Sequence, residues 1–459
     1  VKTIKDWSGA LAAGLDAIRG QYKLPGAFPA EVEAAAEAAA RRPLDAHADR
    51  TSVPFVTLDP VSSTDLDQAF AIERSGGDLI LHYAIADVGW FVSPDDPIDR
   101  EAWARGVTIY LPDDKVRLYP AALSEGAASL LPDGERPAVI FTVRVAGDGQ
   151  ASLQAVERAR IRSRAKLGYA TVTAADLPDG FDELARRVAA AELHRGAWRT
   201  DPPQQELRRS ERGFVLGFRP MSPVERCNAA LSLAANLAIA QSLLAHGAGL
   251  FRTMAEPGKK AIKRLRHSAT AFGLEWPANI GLEQFERGLD PADPKHAAFM
   301  LAIRRAGQDA GYAPFQPGVV PWHSAVAATY VHATAPLRRL ADRYVNEAAL
   351  AVANGRSVPE PIEAAFAPLA ETMDRADARA AQIDSAVIEL AEAVVLSGRV
   401  GDRFEGRVTD IDQRGARVQL CSDPVVTRIP GDGLALGEAV TLTLTEADPV
   451  RRLTRFARA

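Results

Sequence analysis

Pro54-Phe-Val-Thr-Leu-Asp59-Pro-Val-Ser-Ser-Thr-Asp65-Leu-Asp67-Gln68 sets an apolar, β-branched run directly against three carboxylates. The run reads as a strand that delivers Asp59 at its end, and Pro60 turns the chain. Asp65 and Asp67 follow six and eight residues after Asp59 and share parity, so an extended backbone points both to one side. Carboxylates brought together repel: at an effective dielectric near 20, a like-charge pair about 4 Å apart costs ~4 kcal/mol. A cation offsets that cost. An all-oxygen ligand set suits a hard divalent ion such as Mg²⁺, with Mn²⁺ as a substitute.

Other acidic motifs fit less well. A calcium loop starting at Asp59 needs Gly at its sixth position and Glu at its twelfth, where this chain has Thr64 and Phe70. The Asp65-x-Asp67 pair is also that of haloacid-dehalogenase-type phosphatases, whose pair directly follows an apolar strand; here Ser62-Ser63-Thr64 comes first. An acidic turn with capping serines and no metal accounts for the composition about as well as a metal site does.

The downstream order of motifs separates these cases. Leu81-His-Tyr-Ala-Ile-Ala-Asp87-Val, Ile98-Asp99-Arg-Glu-Ala-Trp-Ala-Arg105 and Thr108-Ile-Tyr110-Leu-Pro112 come first. Leu118-Tyr-Pro120, Leu123-Ser124 and Arg136-Pro137 follow, and far downstream lies Tyr330-Val-His332-Ala-Thr334-Ala-Pro336-Leu-Arg338-Arg339. This ordered set resembles the RNB catalytic domain of the ribonuclease II family, which degrades RNA from the 3′ end, over about Val53 to about Leu396.

The resemblance implies a cluster of four ligands for catalytic metal. Asp59, Asp65 and Asp67 match its first three positions, Asp67 being the one most directly tied to catalysis, and Gln68 stands at the fourth, where aspartate is usual. A glutamine offers a neutral carbonyl oxygen, so one ligand charge is missing. Arg338 matches the family's catalytic arginine, whose planar guanidinium contacts the scissile phosphate, and Pro336 favours a helix N-terminus just behind it. Tyr110 matches a tyrosine that stacks on the base at the 3′ end. The aromatic on the opposite side of that clamp falls near Met254-Ala255-Glu256, which has none. A further acidic position falls near Ala381-Gln382 and is absent, with Asp377 and Asp384 the nearest carboxylates.

Two basic patches stand out. Arg158, Arg160, Arg162, Arg164 and Lys166 alternate and line one face of a strand, a candidate RNA track. Lys259, Lys260, Lys263, Arg264 and Arg266 fall on a helix, where a solvated face is the preferred interpretation.

The chain divides into three expected units. Residues 1–50 read as helical, with a helix from Pro29 to Arg42: an arm packed on the catalytic domain, in preference to a helix-turn-helix-like module standing in for cold-shock domains. Residues 51–396 form the catalytic unit, strand-rich to about Ala165 and mainly helical from about Asp182, with long helices at Pro223–His246, Pro294–Gly307 and Pro361–Leu396. Residues 397–459 show short alternating strands and resemble an RNA-binding barrel of the OB type, the ribosomal-protein S-one kind. The fold class is α+β, a sheet flanked by helices. Only Phe404 and Phe456 are aromatic in the tail, so Arg407, Arg417 and Arg428 are its candidate phosphate contacts.

Composition bounds the partners. Net charge is −5, so attraction to RNA has to come from local patches or an internal channel. Cys227 and Cys421 form no paired motif, and no basic-then-apolar leader opens the chain, so a cytoplasmic monomer is expected. The apolar region from Ala229 to Phe251 is broken by Ser232, Asn236, Gln241 and His246 and reads as a buried helix, not a membrane span. The expected activity is metal-assisted hydrolysis of single-stranded RNA from the 3′ end to nucleoside 5′-monophosphates. The alternatives are a catalytically decayed RNB-type RNA-binding protein, of which Gln68 is the first sign, and a metal-dependent phosphatase.

Overall fold

The computed structural model describes residues 1–459 apart from 5, 7–8, 133, 198–203, 212, 291–292, 307–309, 413 and 436. Seven strand segments make the principal sheet: β1 (Ala48–Asp49), β2 (Val56–Asp59), β3 (Gln68–Ser75), β4 (Asp78–Ala86), β5 (Arg136–Val145), β6 (Ala151–Ile161) and β7 (Ala165–Gly168). Their order is β7-β2-β3-β4-β5-β6-β1. The two ends of that list belong to the same pair of bent chains. β1 runs parallel to β6, β7 runs parallel to β2, Arg50 N–H donates to the Arg160 carbonyl at 3.0 Å, and Arg164 N–H donates to Phe55 at 2.8 Å. The sheet therefore curls until its ends meet, which removes its open edges. β4 lacks clean alternation along Tyr83-Ala-Ile-Ala86 because both of its faces are buried there.

Helices cover this sheet. α1 (Ala10–Gln21) sends Leu11, Leu15 and Ile18 into the main core. Gly14 leaves no room for a Cβ against Leu390, so α1 lies close upon α4 (Glu360–Leu396). α2 (Pro223–Ala245) opens on a capping box of Ser222 and Glu225, with Pro223 at its first position. By length and composition α2 could cross a membrane, but it packs on β4, β5 and β6 and most of it is buried. α3 (Leu340–Ala353) follows the arginine motif and packs on α2 and α4.

Two small sheets escape the reading of residues beyond Asp182 as mainly helical: Leu250–Thr253 pairs with Gly311–Pro314, and a three-stranded sheet lies apart from it. Gln204–Ser210 and Gly213–Arg219 form a hairpin, and Lys2–Ile4 pairs with its second strand. The partner that completes it lies some two hundred residues away, so local periodicity carries little trace of it. Lys259–Ala271 and Pro294–Ala306 pack around Leu265, Phe272, Phe299 and Ile303 as a separate helical pair.

The tail is a five-stranded, nearly closed barrel: Arg403–Asp412, Gly415–Leu420, Val426–Ile429, Ala439–Asp448 and Leu453–Arg458. Its first and last strands in sheet order touch across the gap. Phe404 and Phe456 are only 3% and 7% exposed and meet edge-to-face inside it at 5.6 Å. Both aromatics of the tail are core residues, and neither offers a stacking surface.

Candidate active site

β2 ends where the chemistry begins. Asp59 is the last residue of its pairing with β7, opposite Gly168, and its carbonyl accepts Tyr169 N–H at 3.1 Å. Burial pushes its carboxyl up to about 7, against the opposing pull of Arg338 and Lys166 and with the help of Asp65. Asp67 stands just ahead of β3, and its carbonyl accepts Ala86 N–H at 2.9 Å. Its carboxylate is buried: Oδ1 accepts Leu337 N–H at 2.7 Å, and Oδ2 lies 3.6 Å from Arg338 Nε. Burial raises the Asp67 carboxyl to about 8, although Arg338 and the Leu337 amide both oppose the rise.

The arginine motif is a tight turn. The Ala335 carbonyl accepts the N–H groups of Arg338 (3.2 Å) and Arg339 (3.0 Å). Asp342, fully buried in the first turn of α3, takes Ala335 N–H at 2.8 Å and grips the Arg339 guanidinium at 2.9 and 2.7 Å. The two neighbouring arginines thus divide their roles. Arg339 is held inside the fold, while Arg338 remains 44% exposed over Asp67. α3 starts only at Leu340, with Arg339 as its cap, so Arg338 sits one residue ahead of the helix proper.

Asp65 and Gln68 have other partners. Asp65 accepts Lys115 Nζ and Tyr110 Oη, each at 2.8 Å, and Lys115 is shared with Glu125. The shared parity of Asp65 and Asp67 holds only in that the Leu66 side chain between them enters the core. The segment is a loop, and its two carboxylates take different partners. Gln68 donates from its amide nitrogen to the Thr334 carbonyl at 2.7 Å, and its amide oxygen accepts the Tyr83 hydroxyl and Ser232 Oγ (3.2 Å). Tyr83 reaches it as a diagonal neighbour: Gln68 pairs with Ile85 on β4, two residues on. Both ends of the glutamine are engaged in bracing the arginine turn against β3. Among the described residues, no three His, Cys, Asp or Glu side chains are grouped closely enough to hold a metal ion.

Tyr110 lies beside the cluster in a two-residue strand paired with Lys115–Val116. Burial of its hydroxyl and the Asp65 carboxylate keep that group well above the usual tyrosine range, so it stays a donor. The residue as a whole is 49% exposed. The strand arginines do alternate with buried Ala159, Ile161 and Ser163, and three members of the expected RNA track have carboxylate partners within the protein. Arg158 pairs with Asp87 and Glu347, Arg160 with Asp49 and Glu135, and Arg162 with Glu135. Their face carries its own carboxylates. Arg164 and Lys166 instead donate to the carbonyls of Ser52 and Val61, and Lys166 alone of the five acts on Asp59.

In the tail, Arg407 is exposed and donates to the Gly437 carbonyl at 3.2 Å, whereas Arg417 is half-buried and acts on the buried Glu392. Asp377 faces Arg252 at 3.0 Å. The residues that sequence reasoning missed are the braces: Lys115 on Asp65, Asp342 on Arg339, and Tyr83 and Ser232 on Gln68. Only Asp342 carried a local signal, its spacing of three from Arg339 on a helix start.

The chain has known relatives. The model for the RNB domain matches residues 47–354, and that for an RNase II-type exonuclease C-terminal S1 domain matches residues 402–459. Exoribonuclease 2 of Cronobacter sakazakii is 28% identical over 406 residues, covering 83% of this chain and 62% of that protein. The chain spans about half to three fifths of the length of the curated relatives it matches (48% and 62%). RNase R of Mycoplasma genitalium, solved with ribose-methylated single-stranded RNA, superposes with a TM-score of 0.87 at 19% identity, over 100% of this chain and 80% of that one. Yeast Ssd1, described as a pseudonuclease, superposes with a TM-score of 0.68 at 16% identity, over 97% of this chain and 58% of that one. With its acidic strand end, its arginine turn and two thirds of its length matched by one domain model, the chain belongs to the RNB family.

Proposed function

We propose that this chain is a 3′-to-5′ exoribonuclease that hydrolyses single-stranded RNA with the help of a divalent ion and releases nucleoside 5′-monophosphates. The observation that carries it is the meeting of Asp67 with Leu337 and Arg338: a buried carboxylate fixed by a backbone N–H beneath a half-exposed guanidinium. Polarity of attack and product type are taken from the family.

The residues suited to a divalent ion are Asp59 and Asp67, two buried carboxyl groups that each feel the charge of Asp65 and of Arg338. Asp65 can join them when Lys115 gives way. They do not fit the four-residue set that includes Gln68, because both ends of its amide are engaged. When bound, such an ion neutralises phosphoryl charge and supplies an activated water. Arg338 takes phosphoryl oxygens in its planar fork and steadies charge as it develops. The Leu337 amide holds the Asp67 carboxylate in one orientation, and Tyr110 offers its exposed ring to a terminal base with its hydroxyl anchored on Asp65.

A decayed RNA binder is the alternative, favoured by Lys115 on Asp65 and by the engaged amide of Gln68. Family membership leaves a phosphatase without support. Incubation with 5′-labelled single-stranded RNA and Mg²⁺ tests the proposal. Stepwise shortening with 5′-mononucleotide products supports it, and binding without turnover at every Mg²⁺ concentration replaces it with the decayed binder.

A further inference from the structure

Both oxygens of the Asp65 carboxylate are taken by one small hairpin. Ile109–Tyr110 pairs with Lys115–Val116, and Tyr110 stands directly opposite Lys115, so the two side chains leave the same face of the ribbon. Lys115 Nζ donates to Oδ1 and the Tyr110 hydroxyl to Oδ2, each at 2.8 Å. The hairpin is tied down at its turn: Leu111 N–H donates to the Asp114 carbonyl at 2.8 Å, and Arg19 of α1 reaches Asp113 at 2.7 Å. Asp65 thus acts on Asp59 and Asp67 through charge, while its own oxygens are spent on the hairpin.

Lys115 has a second carboxylate within reach. Glu125, on the short turn Leu123–Ala127, places Oε1 2.5 Å from the ammonium, and Thr64 Oγ1 accepts from it at 3.2 Å. The three donors of the lysine thus meet three oxygens. Glu125 is also held by Arg117 Nε at 3.2 Å and by the Thr64 hydroxyl at 3.0 Å, so its position does not depend on Asp65. The side chains of Lys115, Asp65 and Glu125 are 16%, 10% and 20% exposed, so water screens these charges only in part. A lysine ammonium is a point charge on a flexible four-carbon stem. It can let go of Asp65 and stay on Glu125.

We propose that Lys115 is a built-in competitor of the divalent ion for Asp65, with Glu125 as the carboxylate that keeps the lysine once the ion binds. The proposal rests on the metal-assisted reading above and deepens it. No proton moves and no covalent bond changes; one ammonium shifts from two carboxylates to one. The exchange favours the metal only when the ion is plentiful enough to offset the lost ion pair. The metal requirement is then set by Lys115 and Glu125, and not by Gln68, whose amide is engaged elsewhere.

Mn²⁺ binding to the full chain without RNA, read from the electron paramagnetic resonance of the free ion, tests this. Lys115→Met should tighten Mn²⁺ binding about fivefold or more, the worth of one partly screened ion pair. Lys115→Gln should do the same, and it stands in if melting in EDTA shows Lys115→Met to be unfolded. Glu125→Gln, which leaves Asp65 as the lysine's only carboxylate, should weaken binding. A lysine that merely repels cations gives the same directions, so two double variants decide. With Asp65→Asn in place, Lys115→Met should lose its effect, because nothing is left to compete for. With Lys115→Met in place, Glu125→Gln should lose its effect too. Single effects that persist undiminished in the double variants overturn the exchange in favour of plain charge. If wild type binds Mn²⁺ and both Lys115 variants bind it equally, the competitor is overturned and the metal reading stands. If no variant binds Mn²⁺, the metal reading falls and takes the competitor with it.

Discussion

Arg338 Nε stands 3.6 Å from Asp67 Oδ2, while the adjacent Leu337 N–H binds the other oxygen of the same carboxylate at 2.7 Å. The strand-front carboxylate and the arginine turn are thereby one unit, and neither can shift without the other. Arg338 is half-exposed and Asp67 is buried, so the pair ties a solvent-facing guanidinium to a carboxylate inside the fold. Its effect is positional: it holds the Arg338 guanidinium over Asp67, where the proposed function puts the scissile phosphate.

Arg338→Lys should therefore lower turnover far more than affinity. Lysine keeps the charge but loses the two-pronged geometry, and losing one preorganised donor costs on the order of 10²–10³ in rate. Steady-state kinetics on single-stranded RNA check it. An effect confined to KM would make Arg338 a substrate clamp only.

Asp67→Asn should abolish hydrolysis with RNA affinity retained, since asparagine still accepts the Leu337 N–H. The same variant carries a stability signature. A carboxyl raised from 3.8 to about 8 favours its protonated form in the fold, so the metal-free protein loses stability as pH rises through that window. Asparagine removes this loss. The variant's advantage in Tm over wild type should be small near pH 4 and largest above pH 8, measured in EDTA; a constant difference across pH would mean that Asp67 is not the buried acid described.

Gln68→Glu keeps the acceptor for Tyr83 and Ser232 but deletes the donor to the Thr334 carbonyl. Leaving such a group unpaired costs about 1–3 kcal/mol. The variant should melt earlier, and the Mg²⁺ needed for half-maximal cleavage should not fall. A lower Mg²⁺ requirement would place residue 68 among the metal ligands after all.

Tyr110 combines an exposed ring with a hydroxyl bound to Asp65, so two substitutions separate its roles. Tyr110→Ala should lengthen the smallest undegraded RNA, because the terminal base loses stacking worth about 1–3 kcal/mol. Tyr110→Phe should keep the wild-type limit product. Gel analysis of the end products on a homopolymer decides whether ring or hydroxyl matters.

Arg158→Ala should destabilise the fold and leave RNA binding alone. Its partner Asp87 is buried and also bonded to His47, so removing the arginine strands a buried charge at a cost of about 3–5 kcal/mol. Chemical denaturation gives the loss. A flatter salt slope for RNA in this variant would restore the strand arginines as a track.

Some of this molecule is legible locally. The apolar run Phe55–Leu58 with Asp59 at its end, the strands Asp78–Ala86, Arg136–Val145 and Ala151–Ile161 and the long helix Glu360–Leu396 follow from local pattern, because burial of one side or both is written into consecutive residues. The order of motifs was enough to identify the family. The two tail phenylalanines likewise sit at alternating strand positions that point inward.

Tertiary structure decided the rest. A row of alternating arginines looks the same with or without carboxylates beside it, and only the closed structure shows Asp49, Asp87, Glu135 and Glu347 approaching Arg158, Arg160 and Arg162. Gln68 reads from sequence as an impaired ligand; in the fold its amide joins Thr334 to Tyr83, partners drawn from far along the chain and from the neighbouring strand. The basic helix, read as a solvated face, lies across an open cleft from a barrel more than a hundred residues downstream, a neighbour its own sequence does not announce. The sequence determined which segments become strands and helices, because those follow from neighbours along the chain. Which charges are left unpaired depends on neighbours in space, and only the closed structure supplies them.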